Sequence, residues 1–206
     1  MSATTMSTEP IEFYFDFTSP YSYLLSEKID DLAAKHGRKV KWKPIMLGAL
    51  FKTTGAVPLT QVPLKGDYSV RDFQRSARFL GVPYVQPSKF PLTTLATARA
   101  YYWLHDRDCG LARKFAHAAF RACFTADRDI SDPAVVVELA AAQGADGTAL
   151  AAALGTQEVK DRLKQECDAA LARGMFGAPY VIIDGEPFWG ADRLPQIEKW
   201  LETGGF

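Results

Sequence analysis

Cysteine is scarce. The chain has three in 206 residues, Cys109, Cys123 and Cys167, widely spaced and odd in number. That excludes a disulfide framework and points to reduced packing residues. The three histidines, His36, His105 and His117, have neither metal-ligand spacing nor a neighbouring cluster of carboxylates, so no metal site is expected. Net charge is absent too: Lys plus Arg and Asp plus Glu number 24 each. No overall field favours nucleic acid or an anionic lipid surface. The basic run Arg38-Lys39-Val40-Lys41-Trp42-Lys43 alternates with apolar residues at a strand period and reads as a solvated strand face. No apolar stretch approaches the roughly 18 residues that cross a bilayer, and MSATTMSTEP lacks the basic start and apolar centre of a leader. No membrane partner and a cytoplasmic location are therefore expected.

What is present is an ordinary globular composition, 48% hydrophobic and 23% charged, with no repeat or low-complexity tract. Residues 11–17 alternate and are rich in aromatics, which predicts a strand. Residues 20–36 carry Tyr21, Leu24, Leu25, Ile29 and Leu32 at helical spacing before Gly37, and 40–45 predict a second strand. A β-α-β start implies parallel neighbours joined by a right-handed crossover. Gly55, Pro58, Pro63 and Gly66 make 47–68 read as an irregular, functional loop. Helical periods follow over 70–80, 92–106, 112–125, 134–143, 148–153 and 157–173. Asp132 before Pro133, and Thr156, supply local start signals. Strand character returns over 180–183, Asp184-Gly185 predicts a hairpin into a strand through Phe188-Trp189, and 193–201 predict a last helix. The order is that of an α/β thioredoxin-like domain, residues 10–68 and 175–206, interrupted by a large all-helical insertion, residues 69–174.

The join between the first strand and helix reads Ser19-Pro20-Tyr21-Ser22, the outline of a Cys-Pro-x-Cys redox turn with a hydroxyl in place of each thiol. Ser at an N-cap with Pro at the first helical position is also a common helix start, and capping alone accounts for the pair. Such a turn nevertheless stabilises an anion placed against it, including a thiolate that belongs to a ligand. Lowering a thiol pKa from about 8.5 to about 6.5 takes about 2.7 kcal/mol. One hydroxyl donating to a charged acceptor contributes roughly 1.5–3 kcal/mol. A dithiol oxidoreductase is excluded, because Ser19 and Ser22 cannot form a disulfide.

Far along the chain, Phe176-Gly177-Ala178-Pro179-Tyr180 places a proline at a strand start, where the preceding backbone can face an extended peptide. Spacing does not establish a cis bond there. Asp192, in Trp189-Gly190-Ala191-Asp192-Arg193, precedes the last helix and suits either an N-cap or a ligand contact.

Three stretches together carry a family resemblance: residues 13–23 (FYFDFTSPYSY), 176–179 (FGAP) and 184–194 (DGEPFWGADRL), with 62–68 (VPLKGDY) and 79–83 (FLGVP) in step. The chain resembles the 2-hydroxychromene-2-carboxylate isomerase family, which is similar to kappa-class glutathione transferases and more remotely to DsbA-like oxidoreductases. The resemblance implies the DsbA/kappa-class architecture, glutathione as cofactor, a small aromatic substrate and a homodimer. It implies that Ser19 touches the glutathione sulfur, that Ala178 before a cis Pro179 pairs with the cysteinyl backbone, and that Asp192 holds the γ-glutamyl ammonium. Arg193 and Lys65 become candidates for carboxylate contacts; a salt bridge on a solvated face is the other reading of Arg193. The loop that commonly reads Gly-Asn-x-Pro is Gly55-Ala56-Val57-Pro58 here, so one polar contact near the sulfur or substrate is missing. The implied activity is a glutathione-dependent cis-trans isomerisation. A kappa-like transferase and a peptide-binding module that has lost its thiols are the alternatives.

Overall fold

The structure, a computed structural model, describes residues 8–206. The leader reading drawn from the first ten residues lies, for residues 1–7, outside the described part. The chain runs β1 (Ile11–Phe15), α1 (Pro20–Ser26), α2 (Ile29–Lys35), β2 (Val40–Pro44) and α3 (Leu47–Thr54). After a 3-10 turn at Leu59–Gln61 come α4 (Lys65–Leu80), α5 (Leu95–His105), α6 (Cys109–Ala126), α7 (Pro133–Ala142), α8 (Gly147–Ala153) and α9 (Gln157–Ala172). The chain closes with β3 (Tyr180–Ile183), β4 (Glu186–Trp189), a 3-10 turn at Ala191–Arg193 and α10 (Leu194–Thr203).

The strands form one four-stranded mixed sheet in the order β2-β1-β3-β4. β1 lies parallel to β2, with Phe15 opposite Pro44, and antiparallel to β3, with Tyr14 opposite Tyr180. The β3–β4 hairpin turns on Asp184 and Gly185, both at positive φ (51° and 92°), the geometry for which Asp-Gly is the usual choice. Both ends of the chain thus contribute to one sheet, which is the thioredoxin-like plan read from the element order.

Phe13 and Phe15 of β1 build the core on one face of that sheet. Phe15 meets Trp42 at 5.3 Å, Tyr101 of α5 at 6.1 Å and Phe120 of α6 at 5.4 Å between ring centres. The buried hydroxyls of Tyr101 and Tyr102 donate to the Trp42 and Pro44 carbonyls at 3.0 and 2.8 Å. Those bonds satisfy polar atoms that would otherwise be costly inside, and they tie α5 to β2. Side chains cap the insertion helices where the residue types suggest it: Asp108, Asp132, Asp146 and Thr156 each accept a first-turn N–H.

Two expectations change. The helix read over 20–36 is two helices, broken around Glu27 and Lys28 with no Gly or Pro to mark the break. The loop read over 47–68 contains α3 and the first turn of α4. Its punctuating residues bracket these elements: Gly55 is the left-handed C-cap of α3, at φ 72°. Gly66 lies so close to the Thr60 carbonyl that a Cβ would come within 2.6 Å of it.

Candidate functional site

The site forms where β1 ends. Ser19 is the N-cap of α1, with Pro20 at the first helical position, and its Oγ accepts the Ser22 N–H at 3.2 Å. The capping role is therefore real. The same hydroxyl also donates to the carbonyl of Ala178 at 3.4 Å, across 159 positions of sequence. Ala178–Pro179 is cis, as is Phe90–Pro91, which the sequence did not signal. Among the described residues the Ala178 N–H has no hydrogen-bond partner. Ser19 is 6% exposed, so its hydroxyl borders the surface without standing out in solvent.

The hairpin brings the next pieces alongside. The Gly190 N–H donates to the Pro179 carbonyl at 3.0 Å, which sets the Ala191–Arg193 turn beside the cis-proline loop. Gly190, at φ 108°, holds a backbone conformation that residues with a side chain rarely adopt. Asp192 does not cap α10; the N-cap position is Arg193, with no side-chain cap bond. The Asp192 side chain is 72% exposed and meets Arg193 at 3.2 Å. That contact is the solvated salt bridge considered for Arg193, and it leaves the Asp192 carboxylate open to a ligand amine.

Lys65 lies on a different element. It is the first residue of α4, exposed, and among the described residues its ammonium has no ion-pair partner. α4 reaches the site one side chain deeper, where the Tyr21 hydroxyl donates to Asp72 at 2.5 Å and its ring meets Phe73 at 5.0 Å. Burial first, and then the Asp72 carboxylate, raise the Tyr21 hydroxyl well above its usual range, so it stays a neutral donor. The structure thus brings Ser19, Ala178, Pro179 and the Asp192–Arg193 turn together, while Lys65 opens α4. Ala56 is exposed, just past the end of α3.

Other residues at this locus carry no motif. Asp16, 1% exposed, accepts from the Thr18 N–H (2.9 Å), the Leu47 N–H (2.7 Å) and the Thr94 hydroxyl (2.9 Å). Burial raises its pKa. A lone carboxylate between Phe15 and Phe17 is the one signal that could have marked it. Ser22 is fully buried, and among the described residues its Oγ has no partner. Trp189 covers Gly177, whose Cβ would fall 2.5 Å from the indole nitrogen, and packs edge-on against Phe176 at 5.0 Å. The cysteines offer no substitute for the missing thiols: burial pushes Cys123 up to about 12 and also raises Cys167, and Cys109 is exposed at the start of α6. Among the described residues no group of His, Cys, Asp and Glu could hold a metal ion, and no helix is long and apolar enough to cross a membrane.

A four-stranded mixed sheet with a helix-capping turn at the end of β1, facing a cis-proline loop, defines the class: the chain belongs to the DSBA-like thioredoxin domain family, which matches residues 10–202. Within it, the chain is 30% identical over 196 residues to 2-hydroxychromene-2-carboxylate isomerase of Sphingobium xenophagum, an alignment covering 94% of this chain and 98% of that one. It is 28% identical over 205 residues to glutathione S-transferase kappa 2 of Caenorhabditis elegans, covering 93% and 91%. The solved structure of a 2-hydroxychromene-2-carboxylate isomerase superposes with a TM-score of 0.85 at 25% identity, covering 93% of this chain and 94% of that one.

Proposed function

We propose that this protein is a glutathione-dependent isomerase that converts 2-hydroxychromene-2-carboxylate to trans-o-hydroxybenzylidenepyruvate. The observation that carries the reading is the single Ser19 hydroxyl set between its own helix and the Ala178 carbonyl. At 3.4 Å the bond to Ala178 is long and cheap to exchange, so the hydroxyl can turn its proton to a sulfur anion without losing its cap acceptor role. The end-to-end similarity to an isomerase supports the reaction class.

The residues fit the cofactor. The partnerless Ala178 N–H and its carbonyl suit the cysteinyl backbone of a bound tripeptide. The exposed Asp192 carboxylate suits its ammonium, and Arg193 and Lys65 are the cations for its carboxylates. When bound, glutathione would supply a nucleophilic thiolate for reversible addition to the conjugated substrate; with the ring C–O bond opened, the bond rotated and the thiolate released, the product is an isomer of the substrate and no electrons are exchanged. Ser19 holds the sulfur in its anionic form by donating a hydrogen bond to it. Ser22 takes no part in the chemistry and, lacking a thiol, excludes disulfide exchange.

Incubation with 2-hydroxychromene-2-carboxylate, with and without glutathione, followed by product identification, tests the proposal. Isomer formed with catalytic amounts of glutathione supports it. A stable glutathione conjugate moves the chain to the transferases, and no glutathione-dependent product overturns the enzyme reading.

A further inference from the structure

Asp16 accepts three hydrogen bonds near the site, and neither capping nor the proposed chemistry uses it. Its carboxylate lies in the interior, three residues before Ser19, and no cation pairs with it among the described residues. Its three donors come from three separate places: Thr18 in the turn itself, Leu47 at the first position of α3, and Thr94 at the N-cap position of α5. Thr94 makes no cap bond to its own helix; its hydroxyl points to Asp16 instead. The main chain follows the same plan, since the Ser19 N–H donates to the Asp16 carbonyl at 3.0 Å and the Leu92 N–H donates to Thr18 Oγ1 at 3.0 Å. Next to Leu47, the Met46 N–H is taken by Cys167 of α9, whose thiol is the titratable group facing Asp16 from that helix.

We propose that Asp16 is a positioning residue for Ser19. By gathering the starts of α3 and α5 onto the turn between β1 and α1, it fixes the direction in which the Ser19 hydroxyl donates. A hydroxyl that must meet a sulfur anion on one side and keep the Ser22 N–H on the other tolerates little rotation of this turn. Three donors converging on one carboxylate supply that rigidity without a neighbouring cation that would compete for the anion. The proposal rests on the glutathione reading above.

The test is the pKa of glutathione's thiol when bound, read from thiolate ultraviolet absorbance as pH is varied. The main variant is Thr94→Val, which removes one donor and leaves the Asp16 charge and its two backbone bonds in place. Thr94→Ser restores the hydroxyl, and Asp16→Asn presents an amide N–H to at least one backbone N–H. The expected result is a bound-thiol pKa raised by about half a unit in Thr94→Val and by about one unit in Asp16→Asn, with Thr94→Ser at the wild-type value. A folded Thr94→Val protein with the wild-type thiol pKa overturns the positioning role while the glutathione reading stands. A lowered pKa in Asp16→Asn also overturns it, because Asp16 would then act through its charge. If Asp16→Asn does not fold, Thr94→Val against Thr94→Ser decides. Absence of any thiolate signal from the wild-type protein removes the glutathione reading, and this proposal with it.

Discussion

Replacing Ser19 with alanine separates the structural and chemical uses of one hydroxyl. Structurally the change removes the acceptor of the Ser22 N–H at 3.2 Å and the donor to Ala178 at 3.4 Å. Loss of an N-cap costs about 1 kcal/mol, and a hydrogen bond as long as the second adds at most about 0.5 kcal/mol. For a chain of this length the sum corresponds to a melting point lowered by roughly 3–6 °C, so the variant should still be folded at assay temperature. Chemically, the lost donor to a sulfur anion is worth roughly 1.5–3 kcal/mol, which is about a 10- to 150-fold fall in kcat/KM at neutral pH. Rates of glutathione-dependent isomerisation, measured beside a thermal melt, give both numbers from one preparation. Ser22→Ala is the control: it deletes a buried hydroxyl that has no partner, so stability should hold or rise by up to about 1 kcal/mol, with the rate unchanged. A Ser19→Ala rate within threefold of wild type, with the fold intact, would refute the reasoning.

Other outcomes follow from single contacts. Asp192→Asn should weaken glutathione binding about tenfold by calorimetry and leave the melting point unchanged, because the carboxylate is exposed and among the described residues its ion pair is with Arg193. His117, on α6, lies 3.5 Å from Glu27 and 3.9 Å from Asp30. Burial alone would lower its pKa, but the two carboxylates outweigh burial and raise it. A raised folded-state pKa means the stabilisation is complete below the unfolded value, about 6.5, and is lost as pH rises through the folded value. The stability gap between wild type and His117→Gln should accordingly shrink as pH rises from about 6 to about 9, as read by urea denaturation. A gap that stays flat or widens contradicts the linkage.

The parts of the molecule that were legible in its sequence are those with local signatures. β1, β2 and the hairpin carry a strand period or turn residues, and Asp132 and Thr156 announce their helices. α3 was missed because Gly and Pro around it were read as filling a loop when they mark its edges, although Leu47, Leu50 and Phe51 already sit at helical spacing. The break between α1 and α2 left no trace, since the apolar period runs through it. At the site, the Ser19–Pro20 start could be read from the chain, but its meeting with Ala178 depends on how β1 and β3 pair. Asp16 and the Tyr21–Asp72 bond were invisible for the same reason: apart from Thr18 beside Asp16, their partners lie 31 to 78 positions away and share no pattern with them.

The central claim, that the Ser19 turn holds a borrowed thiol as its anion, is tested most directly by counting protons released when glutathione binds. Calorimetric titration in two buffers of different ionisation enthalpy gives that count without any substrate. With the free thiol near 8.5 and the bound thiol near 6.5, the account predicts release of about 0.7 proton per glutathione at pH 7. Binding with no proton release, or no binding at millimolar glutathione, would contradict it.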